Sequence, residues 1–178
     1  MRSFLALDVP DDLARHIASA QSRLGVGRMV PRENLHVTLA FLDDQPESVL
    51  EELDRDLGAL SQDRFPLDVT GYAHFGKSRP RIAYLGVASS APLLSLHQAV
   101  RRAARAAGIA LSHERYIPHI TIARFSGSDV GDALPAVQAL ARLPIQCAPF
   151  DVFGFTLYGS TLTPTGPRYE PLASYPMR

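Results

Sequence analysis

The sequence writes one four-residue phrase twice, as His36-Val37-Thr38-Leu39 and as His119-Ile120-Thr121-Ile122. Side chains on a strand alternate faces with a period of two. Each copy therefore offers an imidazole and a hydroxyl on one face and two aliphatic side chains on the other. A chain carrying two such strands must cover both apolar faces and leave both polar faces open. If the polar faces meet across a cleft, the site holds two imidazoles and two hydroxyls, a set suited to acid–base chemistry on a phosphate.

The segments around the phrases repeat too. Phe4 to Val9 reads as a buried strand ended by Pro10, and Asp11 or Asp12 can cap a helix carrying Leu13, Ile17, Ala20 and Leu24 at helical spacing. Gly25 and Gly27 stop that helix. Leu35 to Leu42 is the first motif strand; after an Asp43–Pro46 turn, Val49, Leu50, Leu53, Leu57 and Leu60 form a helical stripe, and Phe65 to Tyr72 is a strand. Past a basic loop, Gly76 to Arg81, the plan recurs. Ile82 to Val87 is a strand, Pro92 to Ala107 a helix closed by Gly108, Tyr116 to Phe125 the second motif strand, and Ala133 to Leu143 a short helix. The tail reads as strands over Phe150 to Tyr158 and Tyr169 to Tyr175, with a turn from Thr163 to Pro167. The motif histidines stand nearly half the chain apart. A duplicated half predicts a pseudo-twofold axis, with the two motifs at equivalent places facing one another. The expectation is an α+β fold over residues 1–178. It is a single bilobed domain, each lobe an antiparallel-rich sheet with helices outside and the cleft at the centre.

Composition narrows the partner. The 178 residues are 46% hydrophobic and 20% charged with no net formal charge. That allows a packed core and argues against a basic coat for long nucleic acid, while leaving room for a local basic cleft. The single cysteine, Cys147, forms no internal disulfide and reads as a small buried hydrophobe. The apolar start before Asp8 and Pro10 is too short for a signal-peptide core, and no stretch has the length of a membrane span, so a cytoplasmic protein making no membrane contact is expected.

A lone His-x-Thr strand is also what a satisfied histidine beside a β-favouring threonine would look like, and common ancestry of the halves accounts for the repetition without making either histidine active. The chemical reading is that phosphodiester hydrolysis takes a proton from water and gives one to the leaving oxygen. Imidazole titrates near pH 6.5, so one ring can be the base and the other the acid. Threonine hydroxyls can donate to the non-bridging oxygens, where charge accumulates. No metal is expected, because neither motif has a second ligand at close spacing.

With those residues in place, the chain resembles the two-histidine phosphoesterase superfamily, and within it the RNA 2′,3′-cyclic phosphodiesterases once named 2′-5′ RNA ligases. The likeness runs from Arg2-Ser3-Phe4-Leu5-Ala6-Leu7 through Glu33 to Leu42, Arg81 to Tyr84 and Pro118 to Arg124, and closes on Leu157 to Ser160 and Gly166 to Tyr169. It implies opening of a terminal 2′,3′-cyclic phosphate on an RNA 3′ end or nucleotide to leave a 2′-phosphate, with 2′-5′ ligation as the same chemistry reversed. It implies no cofactor. It casts His36 as proton donor to the leaving oxygen and His119 as activator of water, a choice that the repeat leaves reversible, and has Thr38 and Thr121 hold the phosphate. It also places a phosphate-binding arginine at Arg124. Strict alternation aims Arg124 away from the cleft, and a bulge would re-aim it; its repeat counterpart is Phe41. A binding module without turnover, and a phosphodiesterase for small cyclic nucleotides, are the rival readings.

Lys77, Arg79 and Arg81 could meet RNA phosphates or form a solvated loop; Tyr84, Tyr116 and Tyr158 could stack a base or fill the core. His16, His74, His97 and His113 lack a paired threonine and read as structural, and Arg101, Arg102 and Arg105 as a solvated helix face. The even charge fits an enzyme gripping an end, read as a monomer.

Overall fold

The computed structural model describes residues 1–178, the side chain of Val130 excepted. In chain order its elements are β1 (Arg2–Asp8), α1 (Asp11–Gln21), β2 (Arg28–Met29), β3 (His36–Asp44), α2 (Glu47–Gly58), β4 (Phe65–Leu67), β5 (Val69–Phe75), β6 (Ile82–Val87), α3 (Ala91–Ala106), β7 (His119–Arg124), α4 (Val130–Ala141), β8 (Phe150–Val152), β9 (Gly154–Thr163) and β10 (Gly166–Pro176). The motif strands and all four helices lie where periodicity put them. Several details differ; the tail strand expected over Phe150 to Tyr158, for one, is two, β8 and β9, which lie in separate sheets. The N-cap of α1 is Pro10, without a side-chain cap, and Asp11 is already helical. The strand expected over Phe65 to Tyr72 is two, interrupted at Asp68, whose carbonyl accepts from Ala88 N–H. The second motif strand begins at His119, not Tyr116.

The strands pair in the order β10-β9-β1-β3-β7-β6-β5, with β2 added beside β7; β4 and β8 form a separate pair. Every ladder is antiparallel. The two sheets of the expected lobes meet edge to edge at a single residue pair, Val37 with Ile120. One lobe holds β1, β3, β9 and β10; the other holds β5, β6 and β7. The lobes therefore interleave the two halves of the sequence, since β5 precedes and β9 follows the second repeat.

Helices cover the apolar side. Each has one aliphatic stripe that is lost to water: Leu13, Ile17 and Ala20 on α1; Leu50, Leu53 and Leu57 on α2; Leu93, Leu96 and Val100 on α3. They bury it against Leu5, Leu7, Val37, Leu39, Leu85, Ile120 and Ile122. Burying a side chain of this size contributes about 1.5–3 kcal/mol, so the covered face is fixed and the opposite face of the motif strands is left for chemistry. Among the described residues no helix is long and apolar enough to cross a membrane.

Candidate active site

Along β3 and β7 burial alternates as the repeated phrase requires. Val37, Leu39, Ile120 and Ile122 are within 1% of full burial, whereas His36, Thr38, His119 and Thr121 are partly exposed. Antiparallel pairing of Val37 with Ile120 sets His36 opposite Thr121 and Thr38 opposite His119. Each imidazole thus shares a cavity lining with the threonine of the other strand. A cavity of about 680 Å³ is lined by His36, Thr121 and Arg124, and a second of about 310 Å³ by His119, Thr38 and Phe41. All five expected site residues come together at the seam between the lobes.

Arg124 reaches the cleft through a bulge. On β6, Ala83 pairs with Ala123 and Tyr84 with Thr121, so Ile122 has no partner. Ile122 and Ala123 are consecutive buried residues, and Arg124 then emerges on the polar face. The extra residue inverts the alternation beyond it. The same device stands in β3: Leu5 pairs with Ala40 and Ala6 with Thr38, leaving Leu39 unpartnered, and Phe41 emerges 63% exposed. The repeat preserves the bulge and changes what it presents.

A bulge frees ladder groups, and buried carbonyls need partners. The Leu39 carbonyl accepts from His97 Nδ1 of α3 at 2.9 Å. The Ile122 carbonyl accepts from Gln21 Nε2 of α1 at 2.9 Å and from Val30 N–H at 2.9 Å. Tyr116 lies flat on the His97 ring, with centroids 3.7 Å apart, and its hydroxyl donates to the Thr38 carbonyl. His97, read as structural from the sequence, is a support of the first motif strand, and Gln21 is its counterpart for the second. The available sequence signal for His97 was its place beside the aliphatic stripe of α3.

Both catalytic candidates are held alike. His36 Nδ1 donates to the Asn34 carbonyl at 2.8 Å and His119 Nδ1 to the Ile117 carbonyl at 2.7 Å. A carbonyl only accepts, so Nδ1 carries the hydrogen and Nε2 is left for the ligand. Aromatic walls flank each ring: Phe4 and Tyr169 at 4.8 and 5.5 Å from His36, Phe75 and Tyr84 at 5.0 and 5.2 Å from His119. Burial is the main force lowering both imidazoles, and pushes His36 down to about 4. The Arg124 guanidinium lowers both further. Asp8, register partner of His36, opposes this weakly, while the partner of His119 is Gly86.

The tyrosines divide. Tyr84 stacks on Phe75 beside His119. Tyr116 is the support just described, and Tyr158 stacks on Phe4 while donating to Asp8 Oδ1. Lys77, Arg79 and Arg81 lie between β5 and β6 and line neither cavity. Among the described residues no three His, Cys, Asp or Glu side chains are grouped to share a metal ion.

Known proteins bear on this arrangement. The model of the 2′-5′ RNA ligase superfamily matches residues 9–160. This chain belongs to that superfamily. Within the superfamily it is 33% identical to an RNA 2′,3′-cyclic phosphodiesterase of Thermotoga maritima, over 97% of this chain and 93% of that one. It is 28% identical to the protein of that name from Escherichia coli, over 96% and 93%. Escherichia coli LigT in complex with 3′-AMP superposes with a TM-score of 0.78 at 26% identity, covering 99% of this chain and 97% of that chain. TT0787 of Thermus thermophilus gives 0.78 at 26%, covering 100% and 98%. Antiparallel sheets with four helices are thus the fold of this superfamily member and of its LigT-like neighbours.

Proposed function

We propose that this protein hydrolyses the 2′,3′-cyclic phosphate at an RNA 3′ end to a 2′-phosphate, with His36 and His119 as the acid–base pair. The observation that carries the reading is the pairing of each imidazole with the opposite strand's threonine across one seam. It gives a phosphorus atom two proton-transfer groups and two hydroxyl donors. The 2′-5′ RNA ligase superfamily match and relatives named RNA 2′,3′-cyclic phosphodiesterase support the substrate class.

In the mechanism the phosphate sits between the strands, its non-bridging oxygens accepting from Thr38 and Thr121. Nε2 of neutral His119 takes a proton from water as the water oxygen attacks phosphorus. The bond from phosphorus to the 3′-oxygen breaks, and His36 gives that oxygen its proton from Nε2. The 2′-oxygen keeps the phosphate. Burial disfavours charge on both rings. The negative charge of the substrate offsets this. Burial holds His36 down to about 4 and Asp8 opposite it raises it only weakly, so the role of His36 as the acid rests on the family resemblance and on the charge that the substrate brings. Arg124 adds charge for the developing phosphorane. The protein acts as a monomer on the RNA end, in the cytoplasm, and attack on the cyclic phosphate by a 5′-hydroxyl in place of water, with the 3′-oxygen leaving, would give a 2′-5′ linkage.

Phosphorus NMR on adenosine 2′,3′-cyclic phosphate tests the reaction. The expected product is the 2′-monophosphate. A 3′-monophosphate would overturn the regiochemistry, and tight binding with no turnover would favour the binding-module reading.

The pH dependence has a definite sign. Free-enzyme groups control kcat/KM, and turnover needs one ring charged and one neutral. With His36 near 4 and His119 below its ordinary 6.5, the bell lies on the acid side of pH 6.5. Arg124→Ala removes a charge that lowers both rings, so the bell moves to higher pH while its peak falls. A peak that falls without moving would separate Arg124 from the imidazoles.

A further inference from the structure

Arg28 and Arg124 are direct partners in the β2–β7 ladder. Such side chains share a face with Cβ atoms about 5 Å apart, and like charges so placed repel. Among the described residues the ion pairs are Arg15 with Asp12 and Arg32 with Asp11, so neither guanidinium is neutralised by a carboxylate. A third, Arg168, enters from β10 of the other lobe and faces the same 680 Å³ cavity. The Arg28 guanidinium lies beside Gly166 at the β9–β10 turn, 3.6 Å from where a Cβ would stand, so β2 and the hairpin close one wall together. Glu33 is the one acid on that cavity's lining and pairs with none of the three. The cavity beside His119 is built otherwise. Phe41, Phe75 and Ile117 wall it, its Arg101 donates to the Ser112 carbonyl, and its lining sets Glu114 against Arg101 and Arg115 in place of three arginines with one acid.

Opposed arginines cost stability in the empty protein, and local conflicts of this kind mark places where a ligand supplies the missing charge. The cavity is also far larger than one phosphate. Arg28 is the ladder partner of Arg124, three residues beyond Thr121, and so stands roughly 10 Å along the strand direction from the reacting end. One nucleotide bridges that separation.

We propose that Arg28 and Arg168 form a second anion subsite, beyond Arg124 and the reacting phosphate, that takes the phosphate on the 5′ side of the terminal nucleoside. The proposal rests on the cyclic phosphodiesterase reading and adds to it: the enzyme measures one nucleotide back from the reacting end. A bare nucleoside cyclic phosphate fills half the site, while an RNA end fills both halves. Neither Arg28 nor Arg168 is buried, so both can be replaced without opening the core.

Calorimetry on the whole protein tests the subsite without turnover. Adenosine 2′,5′-bisphosphate should bind about tenfold more tightly than adenosine 2′-monophosphate, the scale of a charge-assisted hydrogen bond. Its affinity should also fall more steeply with salt, by about one further phosphate contact. In Arg28→Ala and Arg168→Ala the affinity ratio should shrink toward one. Arg28→Ala should leave the melting temperature equal or higher, since it relieves repulsion. Equal affinities for the two ligands in the unaltered protein would overturn the proposal, as would variants that weaken both ligands in the same proportion. Hydrolysis of adenosine 2′,3′-cyclic phosphate, measured in parallel, reports separately on the underlying reaction.

Discussion

His36→Ala and His119→Ala are each expected to slow turnover of a nucleoside 2′,3′-cyclic phosphate by roughly a hundredfold or more, the usual contribution of a positioned general acid or base. The two rings are matched in hydrogen bonding and aromatic surroundings, so losses of similar size follow from removing either. Steady-state kinetics across pH adds the information that a single rate lacks. Each variant should lose one limb of the bell and keep the other. The double variant should be little slower than the worse single one, because groups that move one proton in and one out act as a unit. A near-normal rate in either single variant would remove that ring from the mechanism. Folding is a small concern at His36, whose burial disfavours the charged ring. Its contribution to stability is present above pH 6.5 and is lost as pH falls toward about 4, so the alanine variant should tolerate acid better than the parent.

Ile120→Ala is expected to cost about 2–5 kcal/mol of folding stability, the range for emptying a fully buried aliphatic site. For a chain of this size, that lowers the melting temperature by about 10 °C. Ile120 is fully buried, faces Val37 across the seam and pairs with Leu85 on β6. Its loss removes one side of the single pair joining the two motif strands. Leu67→Ala is the control: Leu67 is 1% exposed and lies in the β4–β8 pair, away from the seam. The two variants should lose comparable stability in denaturant titrations. At a temperature where both remain folded, the Ile120 variant alone should raise KM for the cyclic phosphate. Equal kinetic effects would mean that the register at the seam does not govern the site.

How much of this was legible in the chain follows from what each signal reports. Alternation across Val37-Thr38-Leu39 and Ile120-Thr121-Ile122 fixed which side chains face outward, because burial on one face leaves a strand no other register. Aliphatic stripes at helical spacing found the helices for the same reason. Two residues of strand at Arg28 and Met29 carry no period, and so β2 was invisible, along with the arginine that it brings to the cleft. Nothing local in Leu39-Ala40 or Ile122-Ala123 announces a bulge; strict alternation therefore aimed Arg124 at the core, and only pairing with β1 and β6 shows the inversion. Gln21 and His97 escaped for a different cause. Each completes a hydrogen bond with a strand far along the chain, and spacing within a helix says nothing of what the helix will cover.

Those two hydrogen bonds have a consequence for how such a protein could have arisen. Gln21 comes from the first half of the sequence and closes the bulge in the strand of the second; His97 comes from the second and closes that of the first. A free half-length chain would carry a motif strand with a bare buried carbonyl and a helix side chain with nothing to cap. It would be completed only by exchanging helices with another copy of itself. Each half of the sequence thus completes the motif strand of the other, and the two matched bulges present different side chains, Phe41 on one side and Arg124 on the other.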